Sequence, residues 1–133
     1  MDARRPAAAL RERFDLVMAD VPCSGLGVIR KKPDIREKRP EDLEALPPIQ
    51  GDILEGLADC VRPGGVLLYS TCTVLHREND AVVDAFLARR QDFVREAVCL
   101  PAPVGRLERG SITLWPQIHG TDGFYFCKLR RAL

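Results

Sequence analysis

The sequence contains no apolar run close to the roughly 20 residues that a membrane-spanning helix needs. Its basic start, residues 1–5, is not followed by the apolar stretch of a secretory signal peptide. Five cysteines at irregular spacing form no Cys-x-x-Cys pair, and only two histidines accompany them. These absences argue against a disulfide framework and against a structural zinc site. We therefore expect a cytoplasmic protein with reduced thiols, no metal site and no membrane contact.

The composition is that of an ordinary globular domain, because 46% of the 133 residues are hydrophobic and 29% are charged. Short apolar runs bounded by turns predict strands, and apolar residues at helical spacing predict the helices between them. The predicted order is a strand at 14–19, a helix at 49–61, a strand at 66–71, a helix at 77–90, and strands at 93–98, 112–115 and 123–129. Glu78 and Asp80 are predicted to favour the helix macrodipole at the start of the second helix. This order indicates an α/β sheet that ends in an antiparallel hairpin.

Two cysteines stand where an α/β sheet would carry its ligand site, beyond the carboxyl ends of the strands. Asp20 and the loop with Cys23 follow the first predicted strand, and Cys72 ends the second. If these strands are neighbours, both thiols face one cavity beside a carboxylate, a combination that suits covalent catalysis. The helix that follows Cys72 would favour its thiolate form.

Each of these residues also has a simpler interpretation. Cysteine is among the most buried residue types, so a single cysteine is usually a small core residue. We expect this role for the other three cysteines: Cys60, Cys99 and Cys127. Asp20 alone is an ordinary turn residue. The spacing of Asp20, Pro22 and Cys23, together with Cys72 at a second strand end, is what favours a site.

Two segments resemble a known family. Residues 20–27 (Asp-Val-Pro-Cys-Ser-Gly-Leu-Gly) and 70–73 (Ser-Thr-Cys-Thr) closely resemble the two signature cysteine motifs of the Sun/RsmB family of RNA 5-methylcytosine methyltransferases. Residues 27–35 resemble the RsmB branch, which modifies small-subunit ribosomal RNA in bacteria, and residues 122–129 resemble the family's final hairpin strand. The resemblance implies the C-terminal half of a Rossmann-like sheet that uses S-adenosylmethionine.

The resemblance also implies a role for each matching residue. Cys72 matches the nucleophile that attacks carbon 6 of cytosine, and Cys23 matches the second cysteine, which resolves the covalent adduct. Asp20 matches the carboxylate that hydrogen-bonds the target base. Asp20 and Pro22 are the residues of this chain that we expect to contact S-adenosylmethionine.

The segment after the first motif is basic, with six basic residues against two acidic ones between positions 30 and 39. We expect Arg30, Lys31 and Lys32 to contact RNA phosphates near the site. A solvated surface loop is the alternative interpretation, because charge runs are common. The resemblance implies an RNA substrate whose target cytosine is single-stranded or flipped out of its stack.

The family's Gly-rich cofactor loop, its ribose-binding acid and the upstream RNA-binding domains have no counterpart in the sequence. We therefore expect residues 1–133 to be a partial catalytic domain that is inactive alone. The strand at 14–19 is then an apolar sheet edge, which favours self-association. Two alternatives remain open, a non-catalytic RNA-binding or regulatory module and a thiol redox protein that uses Cys23 and Cys72.

Overall fold

The computed structural model describes residues 2–133. The strands and helices of this part of the chain are, in order, β1 (Phe14–Asp20), α1 (Pro40–Glu44), α2 (Leu46–Ala58), β2 (Val61–Thr71), α3 (Asp80–Arg89), β3 (Phe93–Arg95), β4 (Val98–Cys99), β5 (Arg106–Leu107), β6 (Ser111–Leu114), α4 (Pro116–His119) and β7 (Phe124–Arg131). Single 3₁₀ turns occur at Ala8–Leu10, Pro33–Glu37 and His76–Glu78. Within the described range, no helix is both long and apolar enough to cross a membrane.

Five strands form one mixed sheet in the order β1-β2-β7-β3, with β6 also paired to β7. β1 and β2 are parallel, whereas β7 is antiparallel to β2, β3 and β6. The pair β6–β7 is the predicted C-terminal hairpin, joined through α4. The predicted α/β fold class with an antiparallel end is therefore confirmed.

The parallel pair β1–β2 depends on the crossover through α2. This helix places Leu54 and Ala58 in the core and ends at Ala58. The prediction that the helix extends to Val61 is wrong, because Val61 is the buried first residue of β2. Glycine allows this early start: a side chain at position 65 would lie 3.0 Å from the Asp15 carbonyl oxygen of β1.

The hydrophobic core lies between the sheet and the helices α2 and α3. The buried side chains of α3 are Val82, Val83 and Phe86, while Leu87 is only partly buried. The sheet contributes its alternate residues, as expected for strands with one covered face: Leu67, Tyr69, Tyr125, Cys127 and Leu129. These contacts fix the two strands whose ends carry the cysteine motifs.

Two sequence predictions about the C-terminal part need correction. The strand predicted at 93–98 divides into β3 and β4, because β3 pairs with β7 whereas β4 pairs with β5. Cys60 and Cys127 are buried as expected, but Cys99 is exposed. Its strand β4 pairs only with β5, in a two-stranded ribbon that is separate from the main sheet.

One edge and part of one face of the sheet are open. β1 is the first strand of the sheet order and pairs with β2 alone within residues 2–133. Three alternate side chains of β1 are exposed: Phe14, Leu16 and Met18. The predicted apolar edge is therefore present in the chain as described.

Candidate functional site

The carboxyl ends of β1 and β2 lie side by side, as the sequence predicted. In the parallel register, Ala19 faces Tyr69 and Asp20 faces Ser70. The Ser70 hydroxyl donates to Asp20 Oδ1 at 3.2 Å, and the Val21 backbone N–H continues the pairing to the Ser70 carbonyl. The loop after β1 and the end of β2 therefore meet at one edge of the sheet.

Cys23 and Cys72 are in direct contact at this edge. Their sulfur atoms lie 2.9 Å apart, and the Cys72 backbone N–H donates to the Cys23 sulfur at 3.3 Å. Both thiols are free and half-buried. Burial and, next, the hydrogen bond with Cys72 raise the pKa of the Cys23 thiol to about 12. Cys23 therefore keeps its proton at neutral pH.

The helix after Cys72 is arranged differently from the prediction. A 3₁₀ turn, His76–Glu78, separates Cys72 from the start of α3. The side chain of Asn79, just before α3, is held by Thr71 and by the carbonyl of Thr73. The observed backbone donor next to the thiols is thus the Cys72 amide itself, not the first turn of α3.

Glu78 was predicted to be a helix-end acid, and this prediction is wrong. Its side chain is fully buried and accepts hydrogen bonds from the Ser24 backbone N–H (2.8 Å) and the Ser24 hydroxyl (2.6 Å). Buried Gln50 of α2 donates to Glu78 and to the Pro22 carbonyl. Sequence reasoning missed Ser24, Gln50 and Glu78, since no periodicity signals contacts between such distant segments.

Two glycines bring a third segment against the cysteines. The Gly27 N–H donates to the Cys72 carbonyl at 3.0 Å, and the Gly123 N–H donates to the Gly27 carbonyl at 2.7 Å. A side chain at position 27 would lie 1.9 Å from the Gly123 carbonyl oxygen. Glycine is therefore required there, and the segment before β7 closes one side of the site.

The basic segment, residues 30–39, begins next to the site, and its first two side chains form ion pairs within the chain. Arg30 contacts Asp122 at 3.1 Å, and Lys31 forms a second ion pair with the same carboxylate. Asp122 is buried, and Lys31 and then Arg30 lower the pKa of its carboxyl group. Both basic side chains remain mostly exposed, as does Lys32, which forms no ion pair within residues 2–133.

The two predicted cofactor-binding residues, Asp20 and Pro22, are both exposed at the end of β1. Asp20 keeps its second oxygen, Oδ2, without a hydrogen bond in the described part of the chain, whereas the Pro22 carbonyl is occupied by Gln50. Asp20 Oδ2 can accept a hydrogen bond, and the Pro22 ring beside it is apolar. This combination fits part of S-adenosylmethionine. A separate groove of about 720 Å³ lies between α2 and α3, away from the cysteines.

Comparison with solved structures supports this description of the fold. The crystal structure of PH0851 covers 97% of this chain at 33% identity with a TM-score of 0.84, and the chain spans 29% of that protein. The crystal structure of NSun6 from Pyrococcus horikoshii, with SFG, covers the whole chain at 29% identity with a TM-score of 0.71, and the chain spans 34% of it. The Rossmann-like methyltransferase fold that the sequence predicted is confirmed.

Sequence relatives point to the same group. The probable ribosomal RNA small subunit methyltransferase B of Bacillus subtilis is 42% identical over 98% of this chain, which spans 31% of that protein. Ribosomal RNA small subunit methyltransferase B of Thermus thermophilus is also 42% identical over 98% of the chain, which spans 32% of it. The chain thus spans less than a third of these relatives. The family described as 16S rRNA methyltransferase RsmB/F matches residues 1–130, and the chain belongs to this family.

Proposed function

We propose that the chain carries the thiol pair with which an RsmB/F-type enzyme forms 5-methylcytosine in small-subunit ribosomal RNA. The observation that carries the proposal is the contact of Cys23 with Cys72, whose sulfurs lie 2.9 Å apart at the carboxyl edge of β1 and β2. Two thiols at the ligand-binding edge of an α/β sheet suit covalent catalysis better than packing. Residues 1–133 are, in this proposal, one part of the catalytic domain.

Cys72 is assigned the nucleophilic step. A thiolate is the attacking form of cysteine, and burial disfavours that form in Cys23, so the thiol in contact with it, Cys72, is assigned the attack. Attack forms a bond from the Cys72 sulfur to carbon 6 of cytosine, and the electron pair of the C5–C6 double bond shifts to carbon 5. S-adenosylmethionine, when bound, supplies the electrophilic methyl group that carbon 5 takes up.

Cys23 is assigned the release step. Release needs transfer of the remaining carbon 5 proton to a water molecule. As its bonding pair forms the C5–C6 double bond again, the bond from carbon 6 to sulfur breaks and its electron pair returns to Cys72. Cys23 is the side chain in contact with that sulfur, so it is placed to assist this departure.

Asp20 and the basic segment are assigned to substrate binding. The Asp20 carboxylate is exposed beside the thiols and oriented by Ser70, so its free oxygen can accept a hydrogen bond from the exocyclic amino group of cytosine. A base inside a helix cannot reach half-buried thiols, so the target must leave its stack. Exposed Arg30, Lys31 and Lys32 then contact the flanking phosphates.

A hybrid methyltransferase tests this function. In the hybrid, this chain replaces the matching part of methyltransferase B from Thermus thermophilus, with which it shares 42% identity. The purified hybrid is incubated with unmodified 16S ribosomal RNA and S-adenosylmethionine, and the nucleosides are analysed by mass spectrometry. We expect 5-methylcytidine from the hybrid and none from its Cys72→Ala variant. Methylation that persists in this variant would remove Cys72 from the proposed role.

A non-catalytic RNA-binding module is the second candidate, and the exposed side chains of Arg30, Lys31 and Lys32 favour it. Such a module would bind RNA in a salt-dependent way without forming an adduct. Denaturing gels of the Cys23→Ala hybrid mixed with RNA and S-adenosylmethionine separate the two candidates, because only the enzyme forms a covalent adduct, which this variant cannot release.

A further inference from the structure

The loop with Cys23 has no regular backbone structure from Val21 to Gly25. Its conformation is held by side chains from other parts of the chain. Gln50 donates to the Pro22 carbonyl at 3.0 Å, and Lys38 donates to the Ser24 carbonyl at 2.8 Å. The residues on both sides of Cys23 are thus anchored, and these anchors determine where its sulfur lies.

The Glu78 side chain connects one of these anchors, Gln50, with Ser24. One carboxyl oxygen accepts from the Ser24 N–H at 2.8 Å and from Gln50 at 3.0 Å, and the other accepts from the Ser24 hydroxyl at 2.6 Å. The Ser24 hydroxyl also lies 2.8 Å from Thr73 Oγ1, directly after Cys72. The Glu78 side chain therefore joins the segment around Cys23 to the segment around Cys72.

The donors to the Glu78 side chain show that it does more than stabilise its own turn. A buried carboxyl group is costly unless its oxygens are paired. All three observed donors to Glu78 come from Ser24 and Gln50, and none within residues 2–133 comes from the backbone of α3. The Glu78 backbone is fixed separately, because the Tyr69 hydroxyl donates to its carbonyl at 2.6 Å. The Glu78 side chain thus stabilises the Cys23 loop rather than the start of α3.

We propose that Glu78 is a positioning residue that locks the Cys23 loop against the end of β2 and so holds the two sulfurs in contact. Its meaning for catalysis rests on the proposed function, in which both thiols act on one cytosine. The geometric claim is independent of that function, because it concerns only the distance between two thiols in the folded chain.

The equilibrium constant of thiol–disulfide exchange reports how close the two sulfurs lie, and it needs neither RNA nor cofactor. The 133-residue chain is equilibrated with glutathione: two thiols and one oxidised glutathione give one Cys23–Cys72 disulfide and two reduced glutathione molecules. Peptide mass spectrometry quantifies the linked pair at a temperature where circular dichroism shows each variant folded. For Glu78→Leu, which keeps bulk but removes both acceptors, we expect an equilibrium constant at least about tenfold lower, since small displacements strongly reduce proximity.

Two further variants make the result specific. Glu78→Gln keeps an acceptor for the Ser24 N–H and for Gln50, so we expect a constant within about threefold of the wild type. The control Glu108→Gln alters an exposed side chain paired with Arg106, and we expect no change. A residue that only supports stability would lower the unfolding temperature of Glu78→Leu and leave the exchange constant unaltered. A constant within about twofold of the wild type in folded Glu78→Leu overturns the proposal.

If Glu78→Leu does not fold, Gln50→Leu decides. It removes the donor to the Pro22 carbonyl, one donor to Glu78 and an unpaired buried oxygen, Gln50 Oε1. Ser24 still donates to both Glu78 oxygens, so the fold should tolerate the change. We expect the equilibrium constant for the Cys23–Cys72 disulfide to be at least about fivefold lower, and an unaltered constant overturns the proposal.

The two proposals can fail separately. If the hybrid methyltransferase fails but these variants shift the disulfide constant, the proposed function is wrong and the positioning role stands. If the hybrid methylates RNA but the constant is unaltered, the positioning role is wrong and the proposed function stands.

Discussion

The Cys72 backbone N–H donates to the Cys23 sulfur, and the Cys23 thiol in turn contacts the Cys72 sulfur at 2.9 Å. The two cysteines are therefore not equivalent. Burial raises the pKa of the Cys23 thiol to about 12, and the Cys23 sulfur accepts the Cys72 backbone N–H. This asymmetry matches the division into a nucleophile and a releasing group, and it leads to the first two predictions.

In the hybrid methyltransferase, Cys23→Ala should leave Cys72 able to attack cytosine but unable to depart. We expect product formation to fall at least about 100-fold, the scale on which single acid–base groups act. RNA bound covalently to the protein should accumulate on denaturing gels. Cys72→Ala is the matched control and should give no adduct. An adduct in Cys72→Ala but not in Cys23→Ala would show that the two roles are reversed.

The raised pKa of Cys23 predicts slow alkylation of the 133-residue chain by iodoacetamide. Only the thiolate reacts, and a pKa of about 12 instead of about 9 lowers its fraction roughly 1,000-fold at pH 8. Exposed Cys99 is the internal control. The alkylation rate of Cys23 should keep rising up to about pH 12.

The folded chain holds the Cys23 proton more tightly than the unfolded chain. The free energy of unfolding should therefore fall as pH rises from about 9 toward 12.

Peptide mass spectrometry after timed quenching follows both cysteines in one experiment. Modification of Cys23 as fast as Cys99 at pH 8 would contradict the protonated, half-buried state. Loss of the rate difference only after unfolding in urea would support it, because unfolding exposes both thiols equally.

The sequence was sufficient to predict the meeting of Cys23 and Cys72. Each follows an apolar strand, and the carboxyl ends of neighbouring parallel strands share an edge. The sequence was not sufficient for Glu78. An acidic residue just before a helix matches the macrodipole, and this local interpretation hid its pairing with Ser24, which lies far away in the chain. Cys99 shows the same limit, since burial depends on which strands pair and not on residue type alone.

The 133-residue chain should bind S-adenosylmethionine weakly. Ligand sites normally enclose most of the ligand surface, whereas Asp20 and Pro22 are both exposed. We expect a dissociation constant above about 1 mM by calorimetry. The hybrid methyltransferase is the control and should bind more tightly. Tight, stoichiometric binding to the chain alone would show that other residues within it complete the pocket.

Lys32 should contribute to RNA affinity through charge. Arg30 and Lys31 must share their charges with Asp122, but Lys32 is exposed without an ion pair in the described residues. For Lys32→Ala we expect the slope of log affinity against log salt to become shallower by about 0.7, the value for one phosphate contact on a single strand. Arg106→Ala, at an exposed arginine of β5, is the control. Equal slopes in both variants would support the solvated-loop interpretation.

The 133-residue chain should self-associate through β1. Within residues 2–133 this strand pairs only with β2, so its outer edge carries free backbone donors and acceptors. Leu16 and Met18 expose 55% and 63% of their surface on one side of the strand. A pocket of about 250 Å³, lined by Leu10, Phe14 and Leu57 among others, continues this apolar surface. Exposed apolar surface beside an open strand edge favours contact with a second copy.

The association should be weak and concentration-dependent, because loss of rotational and translational freedom costs about 4–15 kcal/mol. Sedimentation velocity across a range of concentrations measures it. Leu16→Lys places a charge on the β1 surface and should shift the chain to a monomer. Val94→Lys is the matched control, since Val94 is similarly exposed, at 59%, on β3. A wild-type chain that stays monomeric at the highest concentration, or equal effects of both lysines, would show that β1 is not the contact.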